Sequence, residues 1–303
     1  MQLDVLHSVV MVCMTNITAY CKIVSRQTKF IVMTNVTNQA IVLFSSGLDS
    51  VVNVSILQYI YKIETILLFI DYGQKALEPE LQSTKRFASA NGLKLITHKI
   101  SDRILGSKLT DGNSDINIDV SDGREAPVDL VPYRNLQFAL IGAQYARKLN
   151  INIVSFAFNI SEMGAYPDNT DRFLENLNEL FLATTYYPYE KPIFFISPTI
   201  RFTKTELIKL GTYLGADFKN STSCYYPINN LACGVCNSCR FRIEAFKRAK
   251  VKDPIDYAIE VDFDSQPVSY EDVKMLLDIA LQDKQKLEQK LEKFGLTLGV
   301  SHV

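Results

Sequence analysis

Gln39-Ala-Ile-Val-Leu-Phe-Ser-Ser-Gly-Leu-Asp-Ser50 decides how this chain is read. Its first half ends in a continuous apolar run, as expected of a strand buried on both faces. Ser45 to Gly47 is a turn. From Ser50 to Lys62 apolar residues recur at Val51, Val54, Ile56, Leu57 and Ile60, which is helical spacing. A strand that passes straight into a helix gathers unpaired backbone N–H groups at the positive helix end, a natural place for an anion. Gly47 lets the backbone approach a phosphate closely, and Ser45 and Ser50 add hydroxyl donors. Asp49 opposes an anion unless it holds a magnesium ion or caps the loop.

The pattern continues outward from this junction. Thr65–Ile70 reads as a second buried strand, Leu81–Asn91 as a helix with Pro79 near its start, and Leu93–Ile100 as a third strand. A polar stretch over residues 106–130 interrupts the rhythm and reads as a long functional or mobile loop. Pro132-Tyr-Arg-Asn135 opens a helix to about Leu149, Ile151–Phe158 is a fourth strand, Asp171–Ala183 a helix, and Pro192–Pro198 holds a fifth strand. Thr203-Lys-Thr-Glu206 has the form of a capping box for the next helix. Strands alternating with helices predict right-handed crossovers, hence an α/β fold with a mainly parallel five-stranded sheet and helices on both faces. Arg240–Lys250 reads as a helix. A longer one spans Ser269–Phe294, capped by Ser269 and stopped by Gly295. Val273, Leu277, Ala280, Leu287, Leu291 and Phe294 form a near-heptad seam interrupted by Lys284, suited to packing on its own domain or to a homodimer contact.

The 303 residues carry a formal charge of −1, which excludes the field of a general nucleic-acid binder. No apolar run reaches the length of a membrane span, and the short run Val5–Met14 follows Asp4 where an export signal would carry Lys or Arg. The expected location is cytoplasmic. Residues 1–38 show no clear period; Met33 is a candidate start. The expected division is an N-terminal extension over 1–38, a nucleotide-binding domain over 39–216, a metal-binding region over 217–250 and a helical region over 251–303.

Six cysteines are unevenly placed, with Cys13 and Cys21 apart from the rest. Cys224 is followed by eight residues and then Cys233-x-x-Cys236-x-x-Cys239. In a chain without an export signal such a cluster favours metal over disulfides. Four thiolates suit tetrahedral zinc and leave no open position, so the ion would be structural. An iron–sulfur cluster and redox thiols are the lesser readings. His98 reads as a strand residue in preference to a catalytic base.

The loop Ser45-Ser-Gly-Leu-Asp-Ser50 resembles the Ser-Gly-Gly-x-Asp-Ser loop of the ATP pyrophosphatase (PP-loop) superfamily, with Ser46 in place of the first glycine. Further segments resemble the 7-cyano-7-deazaguanine synthase family over about residues 40–250. Asp71-Tyr-Gly-Gln74 is similar to its strand-end motif, Val131-Pro-Tyr-Arg-Asn135 to Val-Pro-Gly-Arg-Asn, and Tyr166-Pro-Asp168 to Gly-Tyr-Pro-Asp. Lys204 stands where that family has a lysine after its fifth strand, and the final cysteines match, including Arg240. The resemblance implies an adenine nucleotide alpha hydrolase-like fold. It also implies a ligase that adenylates 7-carboxy-7-deazaguanine with ATP, couples it to ammonia and proceeds to the nitrile. ATP and Mg2+ would bind at Ser45, Ser46, Gly47, Leu48, Asp49 and Ser50. Asp49, Lys204 and Arg134 would be catalytic. Asp71, Tyr72, Gln74, Arg134, Asn135, Tyr166 and Asp168 would surround the base, and zinc would sit on Cys224, Cys233, Cys236 and Cys239. No glutaminase signature accompanies them, so free ammonium is the expected nitrogen source.

The chain departs from that pattern around the base. Lys75-Ala76 replaces Arg-His, Pro79 occupies the place of an acid and is flanked by Glu78 and Glu80, Tyr133 replaces a glycine, and Ile160-Ser-Glu162 stands for Glu-Thr-Asp. These changes fit a divergent relative, for example in antiviral defence, that attaches a deazaguanine to a protein or nucleic acid such as tRNA. A non-catalytic ATP sensor is the third reading.

Overall fold

Each strand of the central sheet carries apolar residues on both faces, and the two faces receive different helices. The computed structural model describes residues 35–100, 110, 130–164 and 166–299. Met33, most of the 1–38 extension and nearly all of the polar 106–130 segment lie outside the described residues. The strands are β1 (Asn35–Thr37), β2 (Gln39–Leu43), β3 (Glu64–Asp71), β4 (Lys94–Lys99), β5 (Ile153–Ser155), β6 (Phe194–Ile196) and β7 (Leu296–Leu298). The helices are α1 (Leu48–Ser55), α2 (Leu77–Ala90), α3 (Arg134–Leu149), α4 (Asp171–Ala183), α5 (Lys204–Tyr213), α6 (Asn237–Ala249) and α7 (Tyr270–Glu292). Five strands form an all-parallel sheet in the order β4-β3-β2-β5-β6, and β1 pairs with β7 in a second, two-stranded sheet. The expected five-stranded α/β architecture is what the chain adopts.

Successive strand residues point to opposite faces. Ala40, Val42, Leu67, Ile153 and Phe194 face a core shared with α1, α5, α6 and α7. Ile41, Ile66, Leu68, Val154 and Phe195 face α3 and α4. A parallel sheet covered on both sides needs this continuous apolar composition. Two glycines permit the closest approaches. A Cβ on Gly142 of α3 would lie 2.9 Å from Val154, and one on Gly211 of α5 would lie 2.6 Å from Phe218 and 2.8 Å from Val52 of α1.

Several expected boundaries shift. The helix read from Ser50 begins at Leu48 and passes at Ile56 into a wider π-helical turn that ends at Lys62, a residue at φ +59°. The fourth and fifth strands have only three residues each, because only the paired middle of each apolar run forms ladder bonds. The Thr203–Glu206 capping box is present. So is the Ser269 cap, completed by Asp272. The seam of α7 is used inside the molecule: Val273, Ala280, Leu287 and Leu291 are buried in the core, with Leu277 and Phe294 packed against it. No described helix is long and apolar enough to cross a membrane.

The strand order reverses direction between β2 and β5, since β3 and β4 lie to one side of β2 and β5 and β6 to the other. Parallel sheets bind ligands at such a point, beyond the carboxyl ends of the strands. Asn53 of α1 and Ser155 of β5 tie the two halves together there, through hydrogen bonds of 3.0 and 3.1 Å between fully buried side chains.

Candidate active site

The turn after β2 is shaped by Ser46. Its φ of +58° is left-handed, a conformation that disfavours residues other than glycine. Two hydrogen bonds and burial hold it. Thr222 N–H donates to the Ser46 carbonyl at 2.9 Å, the Ser46 hydroxyl donates to the Glu80 carbonyl at 3.3 Å, and the residue is fully buried. That hydroxyl is therefore turned to α2, away from the cleft. Gly47 follows as the N-cap of α1, and no side chain caps the helix. None of the described groups accepts from the N–H groups of Leu48, Asp49 and Ser50, the first turn of the helix. Ser45 and Ser50 face each other with their hydroxyls 3.3 Å apart. The result is a ring of backbone and hydroxyl donors at a positive helix end, which is an anion site by construction.

Asp49 and Lys204 sit at its edge. Lys204, in the first turn of α5, places Nζ 2.8 Å from Glu162 Oε1 and 3.7 Å from Asp49 Oδ2. Asn159 donates to Asp49 Oδ2 at 3.1 Å, and Asn169 to Glu162 Oε2 at 3.1 Å. The other Asp49 oxygen, Oδ1, is buried without a hydrogen-bond partner. Burial raises the Asp49 carboxyl to about 6; Lys204 pulls against this and Glu162 adds to it. Burial also acts on Glu162, but Lys204 outweighs it and holds that carboxyl below the ordinary value. Lys204 is pushed up: burial opposes its charge, and Asp49 and Glu162 together overcome the opposition. The lysine is thus a fixed cation.

Across the cleft, Asp71-Tyr-Gly-Gln74 closes a tight turn at the end of β3. Asp71 Oδ1 accepts from Gly73 N–H at 2.9 Å, and Gln74 Oε1 accepts from Tyr72 N–H at 3.1 Å. Gln74 Nε2 donates to Glu80 Oε2 at 3.0 Å. Arg134, at the start of α3, lies 5.8 Å from the centre of the Tyr72 ring and 6.0 Å from that of Phe138. Burial works against its charge, while Tyr72, Asp168 and Tyr166 favour it and raise its pKa. Asn135 donates to Asn169 Oδ1 at 2.9 Å and lies 3.5 Å from the Asp168 carbonyl oxygen.

One cavity of about 350 Å³ joins the two halves. Of the residues singled out from sequence, Ser45, Gly47, Leu48, Asp49, Ser50, Tyr72, Gln74, Arg134, Asn135, Tyr166 and Lys204 line it. Ser46, Asp71 and Asp168 stand behind the wall: the first fixes the loop, the second the β3 turn, and the third supports Asn135 through its main chain. Glu80, Glu162, Asn169, Ser223 and Tyr225 also line the cavity, although the sequence alone assigns them no role. Glu80 and Glu162 were visible only as departures from a family motif. His98 does not line the cavity and pairs with Tyr145 Oη at 3.2 Å.

The four cysteines form a second, closed centre. All are buried, none is in a disulfide, and their sulfurs lie within 4.8 Å of one another. Cys233 and Cys239 sulfurs are 3.9 Å apart. Four ligands at a Zn–S distance of about 2.3 Å span edges of about 3.8 Å, so the set is of the right size for one tetrahedral ion. Backbone N–H groups of Cys233 and Cys236 point at the sulfurs of Cys224 and Cys233, at 3.2 and 3.3 Å, as suits thiolates. Behind the knuckle, the buried Arg242–Asp253 pair, at 2.6 and 2.9 Å, takes in Ser221 and Tyr257. Arg242 also approaches Ser223 of the cavity wall at 3.4 Å. Thr222, two residues before Cys224, is the group that holds the Ser46 carbonyl. The knuckle therefore borders the loop it supports.

A parallel sheet with a Ser/Gly loop at the switch point, flanked by an aspartate and a lysine and followed by a four-cysteine knuckle, is an arrangement of the PP-loop kind. The family model described as "Queuosine biosynthesis protein QueC" matches residues 39–250, and the chain belongs to that family. Relatives called 7-cyano-7-deazaguanine synthase align over almost their whole length. One from Acetivibrio thermocellus is 35% identical over 225 residues, covering 72% of this chain and 97% of that one. Another from Saccharophagus degradans is 33% identical over 226 residues, covering 73% and 98%. The U34-tRNA thiolase NcsA from Methanococcus maripaludis, solved with its [4Fe-4S] cluster, covers 84% of this chain and 73% of that one at 13% identity, with a TM-score of 0.40. That score is too low to bear on the chemistry or the metal here.

Proposed function

We propose that this protein is an ATP-dependent carbon–nitrogen ligase that converts 7-carboxy-7-deazaguanine and ammonia to 7-cyano-7-deazaguanine. The observation that carries the reading is the single cavity lined both by the donor ring at Ser45–Ser50 and by the aromatic and charged groups Tyr72, Arg134 and Tyr166. It offers a phosphate end and a flat-base end in one space.

The chemistry needs both ends together. The substrate carboxylate attacks the α-phosphorus of ATP and pyrophosphate leaves. Ammonia adds to the acyl adenylate, loses a proton, and AMP departs with the former carboxylate oxygen, leaving the amide. A second ATP activates the amide oxygen; its loss as AMP, with the nitrogen-bound protons, gives the nitrile. Activation is required because an oxide is a poor leaving group and AMP a good one. The enzyme's share is positioning and charge neutralisation.

In this reading the backbone N–H groups of the loop and the Ser45 and Ser50 hydroxyls hold the phosphates, and Lys204 offsets charge on the departing pyrophosphate. Arg134 orients the substrate carboxylate. Tyr72 and Tyr166 pack on the ring, and Gln74 and Asn135 border it while their amides hold Glu80 and Asn169 in place. Magnesium carried with ATP would neutralise phosphate charge, and Asp49, with one oxygen unpartnered, is the residue that would hold it. Cys224, Cys233, Cys236 and Cys239 would hold zinc, which with four protein ligands has no open position and acts on the fold alone.

The test is product analysis. Protein supplied with ATP, magnesium, 15N-ammonium and 7-carboxy-7-deazaguanine should yield a nitrile that carries the label. Accumulated adenylate or amide with no nitrile would overturn the assigned end point, and an unconsumed base would overturn the assigned substrate.

A further inference from the structure

Three acids line the reaction cavity: Asp49, Glu80 and Glu162. Two are committed. Glu162 is bound by Lys204 and Asn169. Asp49 is bound by Lys204 and Asn159, and its unpaired oxygen is the one assigned above to magnesium. Glu80 differs. Its Oε2 accepts from Gln74 at 3.0 Å, and its Oε1 has no partner among the described residues and is not sealed in. An acceptor therefore faces the cavity from the first turn of α2, held at a fixed height. Gln74 fixes the carboxyl, Tyr72 N–H fixes Gln74, and the Glu80 main chain is fixed by Ser46.

The opposite sign stands on α3. Arg134 is held between the Tyr72 and Phe138 rings and acts on Glu80 through its charge. A cation, an acid and aromatic faces in one space fit a flat heterocycle with an anionic substituent on one ring and N–H donors on the other. We propose that Glu80 reads the donor edge of the substrate's pyrimidine ring, where a guanine-like base carries its N1–H and exocyclic amine. Glu80 would then be the residue that sets specificity for an amino-bearing base. This deepens the reading above and rests on it.

The electrostatic setting agrees. Burial raises the Glu80 carboxyl to about 7, while the Gln74 hydrogen bond and the Arg134 charge pull it down. Lys75, from the same turn as Gln74, also lines the cavity. Paired N–H donors docking on the carboxyl favour its ionised form. A site built to accept such hydrogen bonds rejects an analogue that lacks the donor, because the buried acceptor is left unpaired.

The experiment compares kcat/KM for 7-carboxy-7-deazaguanine with that for the same compound lacking the exocyclic amine, in wild type and in Glu80→Gln. Wild type should prefer the amino compound by about 10- to 100-fold. Glu80→Gln should turn over the amino compound more slowly, with the preference reduced to within about threefold and ATP affinity unchanged. A preference kept in an active Glu80→Gln enzyme would overturn the assignment of Glu80 while leaving the ligase reading intact. Should Glu80→Gln fail to fold, the wild-type ratio decides: a value near one overturns the proposal. Wild type that consumes neither compound would remove the ligase reading and this proposal with it.

Discussion

The loop after β2 and the knuckle at Cys224–Cys239 are neighbours with opposite physics. The knuckle is closed on itself: four buried sulfurs turn toward one point, two receive backbone N–H groups, and the buried Arg242–Asp253 pair is satisfied from both sides. The loop is left open. Ser46 is held in a left-handed conformation, α1 begins without a side-chain cap, and Asp49 buries an oxygen with no partner. By contrast α5, whose first turn brings Lys204 to the edge of the donor ring, has a complete capping box. An uncapped helix start beside a buried, unpartnered carboxylate oxygen suits a site that a ligand completes, and neighbouring structure must hold the strained Ser46 in place. Thr222, beside the knuckle and bonded to Ser46, is where one region steadies the other.

The comparison predicts that substitutions in the knuckle act on stability and those in the loop act on turnover. The largest effect belongs to Cys236→Ser. It should lose about one metal ion per chain by elemental analysis and cost about 4–5 kcal/mol or more in denaturant unfolding. Unchanged metal content would remove the knuckle from the account. Asp49→Ala comes next. Turnover should fall about 100-fold or more, while thermal unfolding shows the variant still cooperatively folded, since Lys204 keeps its pair with Glu162. A variant that unfolds but, when folded, turns over normally would reverse the assignment.

A smaller effect is carried by proton linkage at Glu80. Its folded-state pKa, about 7, lies above the ordinary 4.5. The folded protein therefore binds the proton more tightly than the unfolded chain does, so this group lowers stability as pH rises from about 4.5 to about 7. Above that window the whole penalty is present, and below it none. Glu80→Gln should thus be more stable than wild type at pH 8, on the order of 1–2 kcal/mol, with the gain gone near pH 4. Denaturation curves at the two pH values decide it, and an equal gain at both would contradict the linkage. The smallest effect is expected of Ser46→Gly, which relieves the left-handed backbone but forfeits the hydrogen bond to the Glu80 carbonyl. The two terms nearly cancel, to within about 1 kcal/mol; a larger loss in unfolding experiments would mean that the hydroxyl, and not the backbone, sets the loop.

Much of this was legible in the order of residues. A buried apolar run, a Ser/Gly turn and a helical period fixed β2, the loop and α1. The spacing of Cys224, Cys233, Cys236 and Cys239 marked the knuckle, because two Cys-x-x-Cys turns can present thiolates to one point. Thr203 and Glu206 announced the start of α5. The base end of the cavity was less legible. Glu80 reads as a solvated first-turn acid like its neighbour Glu78, which is exposed and bonded to Gln82. Its burial depends on Ser46 and Gln74, contacts that no local pattern encodes. Asp71 and Asp168 stand in motif positions, yet their bonds go to a turn and to an asparagine. Asn159 and Asn169 have neither period nor motif, and only the fold reveals that they hold the two acids beside Lys204. The short fourth and fifth strands reflect the limit of apolar runs as a guide, since burial continues past the last ladder bond.

In the proposed function the Ser45–Ser50 loop grips the phosphates of ATP so that the adenylyl group, and not the terminal phosphoryl group, is transferred. The direct test is the nucleotide balance of the complete reaction, with the nitrile measured alongside. Two AMP and two pyrophosphate are expected for each nitrile formed, and no ADP. Formation of ADP and phosphate, or nucleotide consumption that does not depend on the deazaguanine and ammonia, would contradict it.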